Sequence, residues 1–312
     1  MPETFLVTGG CGFIGSHLVR ALVESGARVR VLDDLSSGKR ENLAGLEGQV
    51  ELLVDDLRDP AAAKRACQGA AYVLHQGAVP SVPRSVAEPE RTFEVNVIGS
   101  HTLLLAAREA RVRRVVLASS SSVYGNLPTL PKHEEMAPQP ASPYAAQKLA
   151  MEQLGLAFAR SLGLEVAALR YFNVYGPRQD PNSAYAAVIP SFAAHLARGE
   201  PPRIDGDGGQ TRDFTYVGDV VRANLLAARV PGASGQVFNV AGGRRISILE
   251  LYRLIAQALG RTDVAPLHGP PRPGDVRDSL ASVERAEQVL GWRPEVSLAA
   301  GIERTVEAFR SR

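Results

Sequence analysis

The chain has 312 residues, 45% of them hydrophobic and 22% charged, with 35 basic against 33 acidic side chains and a net charge of +2. That balance belongs to a globular protein with room for two domains, or for one large domain and a smaller lobe. No basic block calls for nucleic acid, no apolar run reaches the roughly 18 residues of a membrane span, and two cysteines and six scattered histidines give neither a disulfide framework nor metal-ligand spacing. Met1-Pro2-Glu3-Thr4 leads directly into an apolar run without a signal pattern, so the expectation is a reduced, cytoplasmic setting with no metal.

Residues 4–8 form a short apolar strand that ends in Gly9-Gly10-Cys11-Gly12-Phe13-Ile14-Gly15. An amphipathic helix is expected from about Phe13 to Ser25, stopped by Gly26, and a second strand over Val29–Asp33. Strand, glycine turn, helix and strand in this order make the context in which a pyrophosphate approaches a helix N-terminus, where free N–H groups and the helix dipole favour an anion. Asp33 closes the second strand where a carboxylate meets the adenosine ribose hydroxyls and repels a 2′-phosphate, which favours NAD over NADP; Asp34 strengthens that preference.

Strands and helices then keep alternating. Val50–Asp56 reads as a strand, 60–67 as a helix, and Tyr72–His75 as a strand running into Gln76, Gly77 and Ala78. One long helix is expected from Ser85 to Ala110, with Asn96 in its middle. Val112–Ser119 is almost continuously apolar, as in a parallel sheet covered on both faces, and it ends in Ser120, Ser121 and Ser122. A helix follows over 142–161, with Ser142 as its cap and Pro143 at its first position, and Glu165–Asn173 is the next strand. The fold class is therefore α/β, a doubly wound parallel sheet of the Rossmann type, whose ligands sit beyond the carboxyl ends of the strands. Gly9, Asp33, Asp56, Gln76, Ser120 and Asn173 all fall at such ends.

Tyr144 and Lys148 lie four apart on the expected helix, on one face and one turn from each other. A phenol has an unperturbed pKa of about 10 and is no base near neutrality, but an ammonium held nearby lowers that value. The pair suits a base that accepts a hydroxyl proton while a hydride leaves the same carbon.

From Tyr175 the character changes. Residues 176–182 are turn-rich, Ala186–Gly199 reads as a helix and Arg203–Gly209 as a loop or hairpin. Arg212–Tyr216, a helix to about Arg229 and the strand Val237–Val240 read as a return to the sheet, followed by helices near 247–260, 283–290 and 298–310. The expected division is a cofactor-binding domain of 1–175 plus 213–241 and a small α/β lobe of 176–212 plus 242–312.

With the glycine turn, Ser120, Tyr144, Lys148 and Tyr171-Phe172-Asn173 in hand, the chain resembles the extended short-chain dehydrogenase/reductase family, and within it the nucleotide-sugar 4-epimerases. The resemblance implies NAD as cofactor. It places Gly9, Gly12, Phe13, Ile14 and Gly15 on the pyrophosphate, Asp33, Asp34, Ser37 and Gly38 around the adenosine ribose, and Asp56 and Leu57 at the adenine. Gln76, Gly77, Ala78, Asn96 and Tyr171 would line the rest of the cofactor's path. It makes Ser120, Tyr144 and Lys148 the catalytic set, the last two also touching the cofactor, and brings Ser120, Ser121, Ser122 and Tyr144 against the sugar. Asn173, Val188, Ile204, Arg212, Arg272 and Asp275 would contact a nucleotide diphosphate, for which an arginine fork is a suitable partner. Ser279 stands where a bulky Tyr narrows the pocket of strict UDP-glucose enzymes, which implies room for an acetamido group.

The expected activity is 4-epimerisation of UDP-glucose and UDP-galactose, extending to their N-acetylhexosamine counterparts. Sugar 4,6-dehydratases of the same family carry Thr-Asp-Glu where this chain has Ser120-Ser121-Ser122, so the acid and base for eliminating water are missing. A UDP-glucuronate enzyme needs a cation for the carboxylate, and Asp180 stands after Arg178-Gln179 instead. A catalytically silent sensor of NAD or nucleotide sugar would have lost Tyr144 or Lys148. The family resemblance also implies a homodimer through the helices near 88–110 and 142–161, to which Leu103, Leu104, Leu149, Met151, Leu154 and Phe158 could contribute, though some must face the sheet.

Overall fold

The computed structural model describes residues 2–180, 187–270 and 277–310. Among these, seven parallel strands form the main sheet: β1 (Thr4–Thr8), β2 (Arg28–Leu32), β3 (Val50–Leu53), β4 (Tyr72–His75), β5 (Arg114–Ser120), β6 (Glu165–Tyr171) and, later in the chain, Val237–Val240. The last of these is β11, because four short strands intervene: β7 (Val174–Tyr175), β8 (Arg203–Asp205), β9 (Thr211–Asp213) and β10 (Thr215–Tyr216). Across the sheet the order is β3-β2-β1-β4-β5-β6-β11. The order reverses between β1 and β4, which opens the crevice where doubly wound sheets bind ligands.

Helices cover both faces. α1 (Phe13–Glu24) and α8 (Val217–Arg229) close one side over a core built on Phe5, Val7, Leu74, Val116, Leu169 and Phe238. α2 (Pro60–Cys67), α5 (Ser100–Glu109) and α6 (Pro143–Ser161) close the other over Leu6, Val73, Val115, Leu117 and Val166. Alternate residues of one strand thus feed opposite cores, and the buried run β5 serves both.

Between β4 and β5 the expected single helix is broken. α3 (Val82–Ala87) stops at Glu88, α4 (Pro89–Phe93) restarts at a proline, and Glu94–Gly99 form a π-turn before α5. Proline is at home in a first helical turn and not in an interior, which accounts for the restart.

A third core lies beyond the carboxyl ends of the strands, where Phe192 and Leu196 of α7 (Val188–Ala197) meet Leu251 and Ile255 of α9 (Ile248–Leu259) and Ile302 of α10 (Leu298–Arg310). Three expectations are corrected here. The 203–209 stretch is no hairpin: β8 pairs in parallel with β13 (Leu267–Gly269). The 211–216 stretch does not rejoin the main sheet, since β9 pairs with β12 (Arg245–Ser247) and β10 with β7. Residues 286–292, expected with the small lobe, instead send Ala286, Leu290 and Trp292 into the α1–α8 core. There the Trp292 indole N–H donates to the Asp219 carbonyl at 2.9 Å.

Candidate active site

At the crevice, β1 turns into α1 through Gly9, whose φ of +66° lies in the left-handed region. A Cβ on Gly15 would stand 2.1 Å from the Gly9 carbonyl oxygen, and one on Gly9 would stand 2.8 Å from the Gly77 nitrogen. The backbone is thus packed as closely as a chain without side chains allows. α1 begins at Gly12 with no side-chain cap and no acidic residue in its first turn, so its positive end and the N–H groups of Phe13, Ile14 and Gly15 are left for an external anion. This cradle fits a dinucleotide's pyrophosphate.

The adenosine side departs from expectation in detail. Asp33 is buried, and its carboxylate accepts the N–H groups of Cys11 and Leu35, each at 2.9 Å. Burial raises its pKa while those two hydrogen bonds oppose the rise. Gly38 is pressed on it so tightly that a Cβ would come within 2.8 Å of both oxygens. Asp34, by contrast, is exposed and caps its own turn by accepting from the Ser36 N–H and hydroxyl. Ser37 is exposed nearby. Asp56 is tied to Arg58, whose guanidinium also reaches Glu94 at 2.6 Å, and Leu57 is buried under Gly99.

Deeper in, Gln76 and Tyr171 are locked to Asn224, with the Asn224 amide donating to the Tyr171 hydroxyl at 2.8 Å. Burial pushes the Tyr171 phenol up to about 12. The loop of Gly77 and Ala78 is held at Val79, whose N–H and carbonyl both bond to the side chain of Asn96 at 2.8 and 3.1 Å. Asn96 therefore shapes the loop from behind, fully buried in the π-turn. His75 sits beneath it, between the Thr8 hydroxyl at 2.6 Å and the Ser100 hydroxyl at 2.9 Å. Burial and the nearby Lys148 charge keep it neutral, its pKa lowered to about 3.

Ser120 ends β5, and its hydroxyl accepts from the Ser122 N–H and hydroxyl at 3.2 and 2.9 Å. Ser121 is half-buried alongside. The Tyr144 phenol faces Ser120, which favours its ionised form, and the Tyr144 backbone N–H donates to the buried Ser85 hydroxyl at 2.9 Å. Lys148 stands one turn on, its Nζ 5.9 Å from the centroid of the Tyr144 ring and 2.8 Å from the Ala118 carbonyl. The expectation that Lys148 lowers the phenol's pKa is corrected. Burial pushes Tyr144 up to about 12, only partly offset by Ser120, and brings Lys148 down to about 8.

On the opposite wall, Asn173 has a φ of +31° and donates to the Asp213 carbonyl at 2.8 Å. Arg212 holds the carbonyls of Thr211 and Arg277, and the Ser279 N–H donates to the Thr211 carbonyl at 3.2 Å. Val188 is half-buried at the start of α7. Ile204 is only 1% exposed and points into the third core, so its side chain is not presented to the cleft. Arg272 and Asp275 lie outside the described residues. Sequence reasoning missed Ser85, Asn224 and Asp213, polar groups whose burial depends on partners far along the chain.

Fold and site together define a dinucleotide-binding α/β protein with a Ser–Tyr–Lys constellation at the end of its central strands. A family model described as "NAD dependent epimerase/dehydratase family" matches residues 5–241, and the chain belongs to that family, with NAD as its cofactor. The chain is 44% identical over 311 residues to the UDP-glucose 4-epimerase of Mycolicibacterium smegmatis, covering 98% of each. Among solved structures it is similar to the UDP-N-acetylglucosamine 4-epimerase of Methanobrevibacter ruminantium in complex with UDP-N-acetylmuramic acid, with a TM-score of 0.95, 41% identity and coverage of 100% of this chain and 99% of the other. It is likewise similar to the UDP-glucose 4-epimerase of Thermotoga maritima with UDP-glucose, with a TM-score of 0.94, 42% identity and 99% coverage of each.

Proposed function

We propose that the chain is an NAD-dependent 4-epimerase of UDP-sugars, acting on UDP-glucose and UDP-galactose and also on UDP-N-acetylglucosamine and UDP-N-acetylgalactosamine. The observation that carries the reading is the convergence of Tyr144 and Lys148, one helical turn apart, on a strand end that offers only the hydroxyls of Ser120, Ser121 and Ser122. Such a site can move a proton on and off a sugar hydroxyl but has no carboxyl pair to eliminate water. Relatives named as UDP-glucose and UDP-N-acetylglucosamine 4-epimerases support the substrate class.

In this reading Tyr144 takes the proton of the sugar 4-hydroxyl and Ser120 orients or relays it. Bound NAD supplies the hydride acceptor, the hydride donor for the return step, and a positive charge beside the phenol. The remaining residues serve position. Lys148 is anchored by the Ala118 carbonyl, Asn96 sets the Gly77 loop, and Gln76, Tyr171 and Asn224 form the floor. The 4-keto sugar then turns over between the Rossmann domain, 1–175 plus 213–241 with 286–292 packed onto it, and the lobe built from the rest of 176–212 and 242–312, and accepts hydride on its other face. Glucuronate is disfavoured because no further arginine follows Arg178-Gln179 to hold its carboxylate; Asp180 stands there and pairs with Lys39 at 3.0 Å. The two cysteines, both buried and unpaired, fit a reducing, cytoplasmic setting. Among the described residues no helix is long and apolar enough to cross a membrane.

Incubating the protein with UDP-glucose, UDP-N-acetylglucosamine and UDP-glucuronate, and resolving the products, tests the assignment. The first two should reach equilibrium with their 4-epimers, and Tyr144→Phe should slow both by about 10²–10⁴-fold. Full activity in that variant, or accumulation of a 4-keto-6-deoxy sugar, would sink the reading.

A further inference from the structure

Under the nucleotide-sugar side of the cleft lies a carboxylate that no step above uses. Asp213 ends β9 with none of its surface exposed. It accepts a hydrogen bond from a backbone N–H distant in sequence, with other backbone N–H groups close by. Oδ2 accepts from Ala281 at 3.1 Å, and the N–H groups of Gly242, Gly243 and Arg244 approach the carboxylate from the turn after β11. Gly242 leaves the room for this, since a Cβ there would stand 3.1 Å from Oδ1 and 2.3 Å from the Phe214 carbonyl. Oδ1 itself is buried without completing a hydrogen bond, and burial pushes the carboxyl pKa up to about 7. A buried carboxylate that costs stability in this way calls for a role.

The ladder around it supplies one. Residues 277–281 run beside β9 as a parallel strand would: Thr211 N–H donates to the Arg277 carbonyl at 2.9 Å, and Ser279 N–H to the Thr211 carbonyl at 3.2 Å. The Thr211 hydroxyl adds a 2.6 Å bond to Asp278. Two residues further, Ala281 N–H would meet the Asp213 carbonyl if the pattern continued. That carbonyl is taken by the Asn173 amide at 2.8 Å, and the Asp213 carboxylate accepts from Ala281 in its place. One residue thereby holds Asn173 on the Rossmann side with its carbonyl and the Ser279 segment on the lobe side with its carboxylate, with Arg212 between them.

We propose that Asp213 is the positioning residue of the UDP-sugar pocket, docking the 277–281 segment against Asn173 and Arg212 so that the pocket's two walls are set by one side chain. The inference rests on the epimerase reading. It concerns binding of the nucleotide sugar and leaves the NAD cradle, at the far end of the crevice, untouched.

The test compares wild type with Asp213→Asn, which keeps the shape but replaces one acceptor oxygen with an amide N–H₂, and with Ala281→Pro, which deletes the donated N–H and adds a ring in the cluster of Val123, Tyr124 and Phe172, so folding is checked by circular dichroism. UDP binding is measured by calorimetry, UDP-glucose turnover by steady-state kinetics, and NAD binding by fluorescence quenching. Both variants should weaken UDP binding and raise the KM for UDP-glucose by about tenfold, the loss of a charge-assisted hydrogen bond, with kcat and NAD affinity little changed. The double variant should be no worse than Asp213→Asn alone, because the two changes remove the same bond. If either variant folds and binds UDP as wild type does, or if NAD affinity and stability fall while the KM for UDP-glucose stays put, the proposal is overturned. Wild-type protein that turns over UDP-glucose but behaves this way overturns the proposal alone; wild-type protein that neither binds UDP nor epimerises any UDP-sugar overturns the functional reading as well.

Discussion

Burial acts against both members of the Tyr144–Lys148 pair, holding the phenol protonated up to about 12 and drawing the ammonium down to about 8. In the NAD-free protein near pH 7 the pair is thus a neutral phenol beside a mostly protonated ammonium. The stability consequence has a definite sign. Unfolded, Lys148 titrates near 10.5, so between about 8 and 10.5 the unfolded chain holds more protons than the folded one. Stability of the NAD-free protein should therefore rise with pH through that window, the penalty being complete below it. Lys148→Met should raise the melting temperature of the NAD-free protein near pH 7, lose most of that advantage by pH 10, and abolish epimerisation. A variant no more stable than wild type at pH 7 would show that the ammonium is better solvated than its surroundings imply. We propose that Ser279, half-buried beside Thr211, bears on selectivity. Ser279→Tyr should lower kcat/KM for UDP-N-acetylglucosamine selectively while sparing UDP-glucose, and equal loss on both sugars would remove Ser279 as a gate.

Helix α6 carries more than its two reactive side chains. One turn past Lys148, Glu152 is fully buried and pairs with Arg170 of β6 at 2.7 Å, while the Ser119 hydroxyl donates to it at 2.8 Å. The Arg170 guanidinium also stacks 4.7 Å from the Tyr124 ring centroid. The pair fixes α6 against β5 and β6 just behind Ser120, which holds Tyr144 on the side of Ser120. Removing one partner leaves the other charged in the interior, so Glu152→Ala should cost about 3–5 kcal/mol in urea unfolding. A cost under about 1 kcal/mol would mean that Arg170 finds another partner. The same comparison explains what was legible in the sequence. The glycine turn, the strands and the Ser142 cap announce themselves through local pattern: the Ser142 hydroxyl accepts the Ala145 N–H as its position predicts. The restart at Pro89 is announced too, by a proline that the expectation of one long helix passes over, whereas the π-turn of Glu94–Gly99 has no local signal, because it serves the Asn96 contact with Val79, 17 residues away. Periodicity cannot carry that information. Nor can it show that Asp213 and Ala281, 68 residues apart, share a bond that places half of the substrate wall.

At the scale of the whole molecule the question is what covers the outer face of the α3–α5 stretch. Of the residues expected at a dimer interface, Leu103, Leu104, Met151 and Phe158 are buried in the core under the sheet and are unavailable. Leu154 is only partly buried and Leu149 packs beside Tyr124 and Phe172. The exposed apolar side chains are others: Val86 at 64%, Phe93 at 48%, Ile98 at 46% and Leu105 at 45% of their surface. They recur along α3, α4, the π-turn and α5, and a single exposed apolar residue is ordinary whereas one on each of four successive elements is not. A second copy of the chain is the occupant that the family resemblance implies, and a two-fold contact would set each stripe against its counterpart. Replacing Phe93 and Ile98 with Lys should then convert a dimer to a monomer in analytical ultracentrifugation while leaving the far-ultraviolet circular dichroism unchanged. Because Asn96 stands between these two residues and clamps Val79, loss of the dimer should also weaken NAD binding, and a monomer with undiminished NAD affinity would separate assembly from the cofactor loop. Wild-type protein that sediments as a monomer at micromolar concentration would remove the interface altogether.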